Sequence, residues 1–124
     1  MKFSRSLHRQ VLGKTGEDLA VSYLQKHGFR IIERNFKARY GEIDIVSIDS
    51  GVLVFVEVKT RIGDEFGKPE EAVTPRKLRE VIRTAEYYSL CHGGLPEAMR
   101  IDVIGIQLTP DGKVVSFNHI RSVT

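Results

Sequence analysis

The chain has 124 residues, 41% of them hydrophobic and 28% charged, with a formal net charge of +3 and a pI near 9.1. That length fits one domain with a modest core, and the composition excludes a disordered chain; mild basicity permits nucleic-acid binding without demanding it. The single cysteine, Cys91, excludes an intrachain disulfide and a multi-cysteine zinc site, and no apolar stretch or leader-like start points to a membrane, so a cytoplasmic protein is expected.

Residues 1–14 carry Lys2, Arg5, His8, Arg9 and Lys14 with little periodicity, which predicts a flexible basic arm able to track a phosphate backbone through Arg9 and Lys14. Thr15 then reads as a helix N-cap with Asp18 three positions on. Leu19, Ala20, Tyr23 and Leu24 form the apolar stripe of that helix, and Gly28 is suited to end it. Glu17 falls in the expected first turn, where an acid favours the positive helix end. Phe29 to Asn35 reads as a first strand with Arg30 and Arg34. Lys37, Arg39 and Tyr40 follow it, and Arg39 and Tyr40 are candidates for phosphate and sugar contact.

Tyr40 to Arg61 predicts a hairpin. Val- and Ile-rich arms alternate with period two on either side of Asp49-Ser50-Gly51. If the turn centres between Ser50 and Gly51, cross-strand partners sum to 101 and Asp44 lies opposite Glu57. A three-residue loop with a glycine bulge would instead put them on opposite faces. Directly opposed carboxylates repel and require a compensating cation, for which a hard divalent ion such as Mg²⁺ is suited. Lys59 shares the face of Glu57 one pleat on. Leu53 and Phe55 share that parity, so the face is largely apolar, and charge there is costly unless paired.

Arg61 at the strand end is a further candidate for phosphate. Residues 62–73 predict a mobile, net-acidic loop beside the site. Thr74-Pro75 starts a second helix to about Cys91, with Leu78, Val81, Ile82 and Ala85 buried and Arg76, Lys77, Arg79 and Arg83 on a separate cationic side. His92-Gly93-Gly94 and Pro96 end it. Arg100–Gln107 and Val114–Ile120 are the last strands, joined by a turn at Pro110-Asp111-Gly112. Asp102 is assigned a structural hydrogen-bond or ion-pair role, and the four histidines have no metal-ligand spacing.

Asp44, followed thirteen positions later by Glu57-Val58-Lys59, resembles the PD-(D/E)XK nuclease signature, with Ile43 where proline is usual. Gly16-Glu17, GEIDIV, VFVEVKTR, FGKPEEAV and MRIDVI together resemble the small bacterial YraN family, also called UPF0102, over nearly the whole chain. That family is similar to Holliday-junction resolvases of the restriction-endonuclease-like fold. The resemblance implies one α/β domain over residues 1–124, a mixed sheet flanked by helices in the order α-β-β-β-α-β-β. It implies a metal-dependent DNA endonuclease, with a four-way junction or another branched DNA as substrate and a homodimer as the working form. Glu17 matches the helix glutamate that reaches the metal in the resolvases. Asp44, Glu57, Glu17 and the Val58 carbonyl would then hold Mg²⁺ or Mn²⁺, and Lys59 would orient the nucleophile or offset developing charge. The alternative is a nucleic-acid-binding protein of the same fold with little or no hydrolysis.

Overall fold

The computed structural model describes residues 2–39, 41–63 and 67–124, with side chains from Leu7 onward. Helix α1 (Lys2–Lys26) is followed by strands β1 (Arg30–Ala38), β2 (Gly41–Asp49) and β3 (Val52–Ile62), a 3-10 turn (Pro69–Ala72), helix α2 (Pro75–Cys91), and strands β4 (Met99–Leu108) and β5 (Val114–Ile120). The five strands form one sheet in sequence order. Only β3 and β4 are parallel, because α2 carries the chain back between them; the other neighbours are antiparallel. This is the α/β mixed sheet and α-β-β-β-α-β-β order expected from the sequence. None of the described helices is long and apolar enough to cross a membrane.

The sheet separates two cores. On one face Leu12, Ala20 and Leu24 of α1 pack on Ile45, Val54, Val56, Ile104, Ile106 and Leu108. On the other, Val81, Ala85 and Tyr88 of α2 pack on Val46, Leu53, Phe55 and Ile101. β3 is therefore buried on both sides over its first half, which explains its continuous apolar run.

The two-residue turn at Ser50 and Gly51 has φ of 50° and 78°, the left-handed pair that matches strand twist in a tight hairpin. Partners Ile45–Val56, Val46–Phe55, Ser47–Val54, Ile48–Leu53 and Asp49–Val52 all sum to 101, so the two-residue register is the one adopted. Thr74 caps α2 by accepting the Lys77 amide at 3.2 Å, with Pro75 opening the helix as expected.

Three expectations need correction. Residues 1–14 are not a flexible arm: from Lys2 they are the first turns of α1. Leu12, 6% exposed, extends the buried series Leu12, Gly16, Ala20, Leu24, and His8 Nε2 meets the Pro110 carbonyl at 2.6 Å, so the segment has packing to order it. Thr15 is consequently no N-cap; its hydroxyl donates to the Val11 carbonyl at 3.0 Å inside the helix. The segment 62–73 is not wholly a loop either. Ile62 completes β3, and buried Pro69 opens the 3-10 turn, which seats Glu70 over Gly105 of β4. Asn118 of β5 donates to Glu70 Oε2 at 3.1 Å, fixing that end of the segment. Asp64, Glu65 and Phe66 lie outside the described residues.

Candidate functional site

The β2–β3 ladder ends at Ile45–Val56, one step short of Asp44 and Glu57. Beyond that point β2 continues only with β1, and β3 only with β4. The strands fork, and the Val58 amide, which lies within the fork, donates to Asp44 Oδ2 at 2.7 Å. Asp44 is thus held against the backbone of the residue between Glu57 and Lys59.

Glu57 is 8% exposed. Its Oε1 lies 3.7 Å from Lys77 Nζ, while its Oε2 is buried and has no hydrogen-bond partner among the described residues. A buried, orphaned carboxylate oxygen is costly unless something supplies charge or a proton. Burial first, and then the negative field of Asp44, push Glu57 up to about 7. Burial likewise raises Asp44 to about 6, against the opposing Val58 hydrogen bond, with Glu17 and Glu42 adding to the rise. At neutral pH the two acids therefore behave as a pair that holds protons more tightly than ordinary carboxylates. Lys59, exposed, and Lys77 oppose the rise at Glu57.

Glu17 approaches from the other side. Its Oε1 accepts from Arg34 Nε (3.1 Å), Arg34 Nη2 (2.9 Å) and Asn35 Nδ2 (3.1 Å), while Arg34 also pairs with Asp18 at 2.6 Å. Asn35 stands between the paired residues Arg34–Ile45 and Phe36–Ile43, opposite Asp44, with φ of 54°. Asparagine tolerates that left-handed conformation better than most residues. β1 thus brings the helix glutamate alongside Asp44. Gly16 completes the approach, because its missing Cβ leaves room for the Thr60 hydroxyl of β3.

The expected nucleic-acid contacts divide by position. Lys14 lines an open groove of ≈ 600 Å³ with Gly13, Glu17, Arg34 and Asn35. Arg9 is exposed on α1 and does not line this groove. Arg39 is exposed just past β1, and Arg61 is half-buried near the end of β3. Tyr40 lies outside the described residues. Asp102 has the structural role expected of it. Fully buried, it accepts from Arg100 Nε (3.0 Å), His119 Nε2 (2.8 Å) and the Ser122 amide (3.1 Å). Burial pushes its carboxyl up, but these hydrogen bonds outweigh it and hold Asp102 below the usual range.

Sequence reading misses Lys77, which it groups with a cationic side of α2 but which reaches Glu57. A usable signal exists: Lys77 is a cation in the first turn of a helix that has no acid there, a place the helix dipole disfavours. Arg34 and Asn35 are also missed as partners of Glu17. Only the left-handed tolerance of Asn35 hints at its place.

Among the described residues no three His, Cys, Asp or Glu side chains converge closely enough to hold a metal ion as they stand. The donor set nevertheless has the oxygen chemistry that hard divalent cations take: two facing carboxylates, one with an orphaned oxygen.

A small α/β domain whose mixed sheet, lying between two helices, opens into a fork holding a buried pair of acids is the class of protein that fold and site define. The chain belongs to UPF0102: the family described as "Uncharacterised protein family UPF0102" matches residues 16–106. Relatives called UPF0102 protein include one from Geobacter metallireducens, 45% identical over 115 residues covering 93% of each chain. Another, from Syntrophomonas wolfei, is 48% identical over 109 residues, 88% of this chain and 93% of the relative. A third, from Anaeromyxobacter dehalogenans, is 49% identical over 98 residues, 79% of this chain and 73% of the relative.

Proposed function

We propose that this protein is a metal-dependent endonuclease that hydrolyses phosphodiester bonds in DNA in the cytoplasm, with branched DNA such as a four-way junction as its substrate. The observation that carries the reading is the Asp44–Glu57 pair at the fork, with an orphaned Glu57 oxygen and two lysines, Lys59 and Lys77, acting on the same carboxylate. Asp44, Glu57 and the Val58 carbonyl would hold Mg²⁺ or Mn²⁺, with Glu17 joining on release from Arg34. Bound there, such an ion lowers the pKa of a water and offsets charge on the phosphoryl oxygens. Lys59 orients the attacking water or stabilises the developing charge. Asp44 keeps the Val58 backbone in place through the amide hydrogen bond. Lys14, Arg9, Arg39, Tyr40 and Arg61 supply backbone contacts that position DNA without reading its sequence. Paired cuts across a junction need two sites, hence a homodimer.

One observation favours a second reading, nucleic-acid binding without cleavage: the Glu17 carboxylate is already engaged by Arg34 and Asn35. The deciding experiment is cleavage of labelled linear, flap and four-way-junction DNA with Mg²⁺ or Mn²⁺, for wild type, Glu57→Ala and Lys59→Ala. The nuclease reading expects metal-dependent cutting that falls at least roughly 100-fold in each variant. Binding without cutting, unchanged by either substitution, selects the second reading.

A further inference from the structure

We propose that Lys77 is the resident counter-cation of the Asp44–Glu57 pair, displaced when a divalent cation binds and thereafter a contact for the phosphate of bound nucleic acid. The inference rests on the reading of that pair as cation-binding acids and adds a residue that neither the nuclease signature nor the strand pattern assigns.

Lys77 Nζ lies 3.7 Å from Glu57 Oε1, across from the sheet on a different element. Its position in the first turn of α2 is one where the helix dipole repels positive charge, and that turn contains no acid to compensate. Neighbouring Arg76 has its own partner one turn on, Glu80, at 3.9 Å. Lys77 instead turns toward the sheet and offsets both acids of the fork. Its backbone is fixed by the Thr74 cap, whereas its side chain is a flexible four-carbon stem, 36% exposed.

The charge count favours the exchange. Fully ionised, the two carboxylates carry two negative charges; Lys77 Nζ lies against one oxygen of the pair, and Glu57 Oε2 has no hydrogen-bond partner among the described residues. A divalent cation on the pair satisfies both, and an ammonium left within a few Å of it is repelled. A lysine head, a hydrated point charge without fixed bond geometry, leaves readily. The cationic surface it would then join is at hand, since Arg76, Arg79 and Arg83, with Glu80 among them, line a groove of ≈ 490 Å³ along α2.

The test is calorimetric titration of Mn²⁺ into wild type, Lys77→Met, Lys77→Arg and Glu57→Gln, paired with the affinity of each for labelled four-way-junction DNA in Ca²⁺. Circular dichroism confirms that each variant is folded. Removing a competing cation should tighten Mn²⁺ binding by Lys77→Met about 3- to 10-fold and weaken DNA binding by a similar factor, while Lys77→Arg, which keeps the charge, should not tighten Mn²⁺ binding. Glu57→Gln should lose Mn²⁺. If Glu57→Gln loses Mn²⁺ but Lys77→Met is unchanged or weaker, the role of Lys77 is overturned and the acid-pair reading stands. Tighter Mn²⁺ with unaltered DNA affinity overturns the phosphate contact. Absence of Mn²⁺ binding in both wild type and Lys77→Met overturns the proposal together with the metal reading.

Discussion

Gly16 of α1 lies directly on Thr60 of β3, so close that a methyl group at residue 16 would overlap the threonine hydroxyl. The contact is one residue from Glu17 on the helix and one from Lys59 on the strand, and it sets the distance between the two layers where the candidate site is built. Gly16→Ala should be favourable to an isolated helix by about 1 kcal/mol. Here the overlap should reverse the sign, with a net loss of about 1–2 kcal/mol. Thermal melts check this: Thr60→Ala in the Gly16→Ala background should recover most of the loss, and equal melting of wild type and Gly16→Ala would refute the close approach.

Asp44 and Glu57 predict the pH dependence. Both carboxyls have folded values raised above their unfolded ones, to about 6 and about 7. The folded protein therefore binds more protons than the unfolded chain between roughly pH 4 and 7. The pair's contribution to stability is greatest below the unfolded values and declines as pH rises through the folded ones. Urea denaturation in the presence of a chelator, at pH 5, 6, 7 and 8, should show falling midpoints. Glu57→Gln should flatten the profile and raise the midpoint at pH 8; a flat wild-type profile would remove the case for a strained pair.

Asp102 should respond with the opposite sign. Its carboxyl is held below the ordinary range, so its contribution is present above the unfolded value and lost as pH falls through the folded one. Asp102→Asn leaves Arg100 and His119 facing a neutral amide and should cost about 3 kcal/mol or more. Two buried acids on adjacent strands are thus distinguished by one measurement: neutralising Glu57 relieves the fold, and neutralising Asp102 damages it. Denaturation midpoints of the two amide variants at pH 8 make the comparison directly.

Asn35 separates backbone from side chain. With φ of 54° at this position, Asn35→Gly should cost little in folding, whereas Asn35→Val should cost about 1–2 kcal/mol through steric conflict at Cβ. Chemical denaturation of both variants checks the order. A valine variant as stable as the glycine variant would mean the left-handed conformation is not required.

Local physics made much of this legible in advance. The Asp-Ser-Gly turn and the period-two alternation limited the hairpin to two registers, one of which brings Asp44 and Glu57 together; the structure adopts that one, with partners summing to 101. Thr74-Pro75 marked α2 because capping is written in adjacent residues. What was not legible depends on distant partners. Thr15 imitates an N-cap, and only the docking of Leu12 and His8 carries the helix past it toward the N-terminus. Gly16 was named only as part of the Gly16-Glu17 motif, although its reason is Thr60, far along the chain. Lys77 was placed by the helical wheel, which does not know that an acid waits on the neighbouring sheet.

Gly105 has a consequence for reading sequence variants of this protein. It pairs with Lys59 in the parallel register, and Glu70 with its backbone amide occupies the space a side chain there would need. Substitution at 105 would therefore act as a spacer, lifting the segment that precedes α2 off the sheet while both cores stay filled. The pressure falls on the Glu70 backbone and not only on a flexible side-chain end, so such a variant should loosen the 3-10 turn first and melt at a lower temperature, as at Gly16.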